Sequence, residues 1–181
     1  MMRLLFCFLC LPFGLQAQKI DQSAHFQELL LACQLEFLAP LDAGYKDVSV
    51  LRNSVQNYDF AIRSRKEKLE IRYLLEPYQE NNPGFETPHI RSIQKLMHLA
   101  SNEQDFVMTG LDVDPELLKE HFNADWGKIF FFRPKLRFCN YQHVKMLSLF
   151  KEGQGMAYIF FLFNEPTRDL NNRMYTIRFR D

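Results

Sequence analysis

The residues able to do chemistry are scattered along this chain rather than grouped. Five histidines, His25, His89, His98, His121 and His143, include no His-x-x-x-His pair, and no Cys-x-x-Cys occurs beyond the N-terminal segment. Neither a zinc site nor a dithiol redox pair is therefore spelled out. Cys139 and His143 stand four apart, and a thiolate nucleophile needs a base nearby. Catalytic partners of that kind come from distant sequence positions, so Cys139 reads as a loop or bridge cysteine. There is no Gly-x-Ser-x-Gly elbow, and Ser92, Ser101 and Ser148 fall inside or at the ends of regular elements. Asp112-Val113-Asp114 opens like a calcium loop, but Pro115-Glu116-Leu117 follows, which is the chemistry of a helix start. Glu152-Gly153-Gln154-Gly155 lacks the helix and the lysine of a phosphate-cradling loop. These patterns assign no catalytic residue, no cofactor and no metal site. The alternative is a hydrolase assembled from distant positions, for instance His143 or His98 with carboxylates in a concave site.

The polar side of the expected sheet carries more. Arg63, Arg72, Arg178 and Arg180 fall on alternate positions opposite the apolar residues of their strands. As neighbours they would form a cationic strip for a small anionic ligand or an acidic partner. Asp59 and Glu70 share that face, and cross-strand pairing would neutralise part of it. Trp126, the one tryptophan, stands between a helix end and a strand start, as a binding anchor or as a plug closing the junction. The charged run Arg63-Ser64-Arg65-Lys66-Glu67-Lys68 reads as a solvated hairpin tip.

Elements that would position these groups follow from periodicity. Met156 to Asn164 is apolar on both alternating sets of positions, so it needs cover on both faces and belongs in the middle of a sheet. His143 to Lys151 joins it through a glycine-rich turn. Tyr58 to Arg63 and Leu69 to Leu75 alternate as a hairpin, with Tyr58, Phe60, Ile62, Leu69, Ile71 and Tyr73 on one face. Phe26, Leu29, Leu30 and Cys33 mark an amphipathic helix capped by Asp21 or Ser23. Thr87-Pro88 opens a second helix, with Ile90, Ile93, Leu96, Met97 and Ala100 as its inward stripe. Asp114-Pro115-Glu116 starts a short third one. Short strands are expected at Leu35 to Ala39, Asp47 to Leu51, Phe106 to Leu111, Ile129 to Phe132 and Met174 to Arg180. Hairpin connections dominate, so the fold class is α+β, a mostly antiparallel sheet flanked by helices.

With 181 residues, 47% of them hydrophobic and 18 of them Phe, the chain suits one domain with a ring-packed core. Formal net charge is zero, and nothing in it steers the protein toward nucleic acid or an anionic membrane surface. Arg3 precedes an apolar run from Leu4 to Leu15, then Gln16-Ala17-Gln18, the pattern of a signal peptide cleaved after Ala17. The expected organisation is a leader at 1–17 and a single domain at 18–181, exported to a periplasmic or extracellular location. The run is short for a transmembrane helix, so no stable membrane insertion is expected once the leader is gone. Cleavage leaves Cys33 and Cys139, either one bridge or two separate buried thiols.

Phe37-Leu38-Ala39-Pro40 and Gly44-Tyr45 ahead of the Tyr58 hairpin, in this order of elements, resemble the PsbP/Mog-like superfamily. The segment from Phe122 to Gly127 and the strand Ala157-Tyr158-Ile159-Phe160 look like those of uncharacterised exported proteins of that shape from Bacteroidetes-type bacteria. The likeness covers roughly Leu35 to Arg180. It implies an α/β/α sandwich and a non-enzymatic binding or accessory role, and it transfers no catalytic residue and no metal-binding histidine.

Overall fold

The structure is a computed structural model that describes residues 20–51, 54–102, 108–165 and 170–181. The leader read at 1–17 lies outside those residues. Nine strands are described: β1 (Leu35–Phe37), β2 (Lys46–Asp47), β3 (Phe60–Ser64), β4 (Leu69–Pro77), β5 (Thr109–Asp112), β6 (Trp126–Phe132), β7 (His143–Lys151), β8 (Gly155–Phe163) and β9 (Ile177–Phe179). Seven form one sheet in the order β2-β3-β4-β8-β7-β6-β5, with every neighbouring pair antiparallel. β8 is the central strand, and all nine of its residues are buried.

Its side chains divide by parity between two cores. Ala157, Ile159, Phe161 and Phe163 enter one, and Met156, Tyr158, Phe160 and Leu162 enter the other. Helix α1 (Ala24–Ala32) covers the first face, started by Ser23, whose hydroxyl accepts the Phe26 N–H at 3.2 Å. Phe26 stacks on Phe60 with ring centroids 4.5 Å apart, and Phe37 meets both rings edge-on. The same face is closed by a separate two-stranded ladder of β1 and β9, and by α3 (Pro115–Leu117) running into a wide turn, Leu118–Phe122. Asp114 caps that unit as expected, accepting from the Glu116 and Leu117 N–H groups. Asn123, at φ 49°, ends it.

The second face is covered by α2 (Pro88–Leu99), and this helix sits rotated from its expected orientation. Ser92, Leu96 and Leu99 point inward, whereas Ile90, Ile93 and Met97 are exposed. The cause is a pair of ionic straps. Glu76 on β4 accepts from Arg91 at 2.7 Å and Lys95 at 2.9 Å, which turns their side of the helix to the sheet. Thr87 occupies the cap position, but its hydroxyl makes no capping bond.

Three other expectations shift. β9 pairs with β1 and not with the main sheet, which separates Arg178 and Arg180 from Arg63 and Arg72. Tyr58 precedes the start of β3 and lies under Arg72, on the opposite side from Phe60. The charged hairpin tip is not simply solvated: Glu67 accepts from Arg173 at 2.6 Å and from the Tyr45 hydroxyl, and Arg173 also holds Asp42 at 2.8 Å. Trp126 opens β6 opposite Phe150 and packs half-buried against the second core.

The turn into β8 depends on two glycines with positive φ, Gly153 at 72° and Gly155 at 134°. A Cβ on Gly155 would run into the Glu76 carbonyl oxygen, while one on Gly153 would meet open space. Gly155→Ala is therefore expected to cost about 3 kcal/mol and Gly153→Ala about 1 kcal/mol, measured by urea unfolding. Equal costs would contradict this packing.

A cationic groove beside the central hairpin

The segment after β6 crosses the second face of the sheet. Pro134 bridges to Ala100, the Lys135 N–H bonds the Leu99 carbonyl at 2.9 Å, and the Lys135 ammonium bonds the His98 carbonyl at 2.7 Å. Phe138 is the anchor: it is fully buried, edge-on to Phe160 with centroids 5.5 Å apart. The segment is pinned at its far end by the Gln142 N–H, which donates to the Asn164 side chain at 3.0 Å.

Beneath this segment sits an ionic hub, buried at Glu70 and Arg72 and open to solvent at Arg63. Arg63 and Glu70 are cross-strand partners, and Arg72 follows two residues on along the same face. Glu70 is 1% exposed and Arg72 is 7% exposed. One Glu70 oxygen accepts Arg72 Nε at 2.7 Å; the other accepts Arg63 Nε at 2.8 Å and the Tyr141 hydroxyl at 3.1 Å. Arg72 also donates to the Phe138 carbonyl at 3.1 Å and lies over the Tyr58 ring at 4.5 Å. Burial alone would raise the Glu70 carboxyl, but Arg72 and Arg63 outweigh it and hold the group below the ordinary carboxylate range. Burial pushes the Tyr141 hydroxyl up to about 12, with Glu70 adding to the shift.

Two adjoining pockets open along the crossing segment, of about 610 and 530 Å³. They share Leu136, Arg137, Asn140 and Tyr141. The first is lined by Arg133, Lys135 and His98, the second by Arg63, Arg72 and Tyr58. Five cations thus line the groove, and among the described residues no Asp or Glu does. Glu70 lies behind Arg63 and Arg72 and neutralises part of their charge. Each guanidinium presents five N–H donors: Arg63 gives Nε and one terminal nitrogen to Glu70, and Arg72 gives Nε to Glu70 and one terminal nitrogen to the Phe138 carbonyl. The remaining donors suit a carboxylate or phosphate oxygen, and the hub sets their orientation in advance.

The four arginines singled out from sequence therefore separate into pairs. Arg63 and Arg72 come together in the groove; Arg178 donates to the Glu120 carbonyl, and Arg180 is exposed at the end of the β1–β9 ladder. Trp126 lines neither pocket. Arg133, Lys135, Arg137 and Tyr141 were not singled out, although a cation at every second position around Pro134 is a legible signal. His98 places Nε2 at 2.7 Å from the Val55 carbonyl, and the His143 ring stacks on Phe163. A histidine does face a carboxylate at His25 and Asp59, 3.7 Å apart, with His25 largely exposed. Burial raises the Asp59 carboxyl, against the Leu75 N–H that it accepts at 2.8 Å.

Cys33 and Cys139 are separate free thiols, each buried, in cores on opposite faces of the sheet. Desolvation pushes them up to about 12 and about 11 respectively, which suppresses the thiolate. Among the described residues no helix is long and apolar enough to cross a membrane, and no group of three or more His, Cys, Asp or Glu is placed to hold a metal ion. Compared with known proteins, the chain matches no family model, no curated protein and no solved structure.

Replacing Glu70 with Gln leaves Arg72 buried beside a neutral amide and is expected to cost about 3 kcal/mol at neutral pH, measured by urea unfolding. Because the folded carboxyl titrates below its unfolded value, its stabilisation is complete above the usual glutamate range and is lost as pH falls through the lower folded value. The Glu70→Gln variant should lack that share of the acid loss, and an unchanged acid limb would contradict the hub. Alkylation in denaturant without reductant, mapped by peptide mass, should label both Cys33 and Cys139. Labelling that required reductant would show a bridge instead.

Proposed function

We propose that this chain is an exported binding or accessory domain, without a catalytic centre of its own, that holds an anionic group of a ligand or partner in the groove between the β3–β4 hairpin and the Arg133–Gln142 segment. The observation that carries this reading is the concentration of Arg63, Arg72, Arg133, Lys135 and Arg137 around two joined pockets lined by no described carboxylate, in a chain of zero net charge. Bulk charge contributes nothing to such a preference, so the field is local to the groove. The leader pattern at 1–17 supports export. The resemblance to the PsbP/Mog-like superfamily supports an accessory role, since a sheet with helices on both sides is what it implies.

Calorimetric titration of the purified protein with inorganic pyrophosphate and with citrate tests the reading. Saturable binding is expected, weakened about tenfold by Arg137→Glu, which reverses a charge shared by both pockets. Arg180→Glu, outside the groove, should leave affinity within about twofold. Equal effects of the two substitutions, or no saturable binding, would contradict the assignment. A panel of ester, glycoside and peptide substrates should give no turnover, and turnover abolished by His98→Ala would favour the hydrolase alternative.

A further inference from the structure

The outward side of α2 is a second unassigned surface. Its inward side is fixed by Leu96, Leu99 and the two straps from Glu76, so the opposite side must face solvent. That side carries Ile90, Ile93 and Met97, exposed to 45%, 46% and 57%. Their spacing of three and four residues places them in one line along the helix. Helix α2 contains no Asp or Glu; among the described residues, the acid just ahead of its first turn, Glu86, is exposed. At the C-terminal end stands the crossing segment, tied to the helix through Lys135, with Leu136 80% exposed between Lys135 and Arg137. The helix therefore presents a narrow apolar ridge with a cationic end.

We propose that this ridge docks on the surface of a bilayer containing anionic lipid, with Ile90, Ile93 and Met97 entering the interface and Arg133, Lys135 and Arg137 meeting the headgroups. Two considerations select this occupant. The ridge is three side chains in a single line on one helix, whereas a stable protein interface needs roughly 800 Å² from each partner. Interfacial docking needs only a few apolar side chains, helped by basic residues at the boundary. The cations select negative over neutral headgroups, and long lysine and arginine stems reach the headgroups while the ridge lies deeper. This inference does not depend on what the groove takes, although both use the same basic segment.

The test is flotation of the purified protein, as recovered from the cells that make it, with vesicles of phosphatidylcholine alone and vesicles enriched in phosphatidylglycerol. Binding to the anionic vesicles is expected to fall about tenfold on Ile93→Asp and at high salt, and comparably on Met97→Gln. Leu31→Asp, at a leucine 65% exposed on the other face, should change nothing. Ile93→Asp should leave the pyrophosphate titration intact, which separates failure of this proposal from failure of the groove. Equal binding to both vesicle types, equal loss with Leu31→Asp, or no binding would overturn it. So would a change in solution mass on Ile93→Asp, which would make the ridge a contact between two copies of the chain.

Discussion

Everything in this fold follows from a strand that cannot face water on either side. β8 alternates Ala157, Ile159, Phe161 and Phe163 with Met156, Tyr158, Phe160 and Leu162, and both sets are buried. An antiparallel sheet often leaves one face wet, but this one cannot. Both faces therefore need a covering layer, and the chain supplies two layers of different quality. The first is continuous, made of α1, the β1–β9 ladder and the turn ending at Asn123. The second is α2, the buried Phe85 ahead of it, and a crossing segment anchored by Phe138 and tied at both ends by hydrogen bonds.

The thinner layer is where the chemistry collects. The β4 side chains that face it include Glu70, Arg72 and Leu74, so the cover must accommodate ions as well as rings. Burying an unpaired charge is costly, and the structure resolves this by clustering Arg63, Glu70, Arg72 and Tyr141 under the crossing segment. The same segment brings Arg133, Lys135 and Arg137 to the rim. The result is a groove with a fixed floor and a basic edge. The straps from Glu76 follow similar logic at the other end of the face: they hold α2 down through Arg91 and Lys95, and its most hydrophobic line is left outside.

Much of this was legible in the sequence. The all-apolar run at Met156 announced a central strand, the Tyr58 and Leu69 alternation announced the hairpin, and Ser23 and Asp114 cap the helices they precede. What sequence patterns could not resolve is competition between faces. In α2, Ile90, Ile93 and Met97 form as good a stripe as Leu96 and Leu99, and the choice was made by Glu76, a residue on another element. The arginine strip failed for a related reason, because alternation gives a residue's face but not its strand's neighbour, and β9 pairs with β1. Glu70 was foreseen as a neutralising partner, since cross-strand pairing is local to a hairpin. The basic side of the groove lies on an irregular segment, where the alternation of Arg133, Lys135 and Arg137 is visible in the sequence but does not say what the three face.

The central claim is that Arg72 and Arg137 belong to one anion site, held ready by a buried carboxylate. Its most direct measurement is an NMR titration of the arginine Nε–H resonances with inorganic phosphate. The account predicts that Arg72 and Arg137 shift together and saturate, while Arg178 and Arg180 do not move. Shifts that grow linearly and fall equally on all four arginines would contradict it.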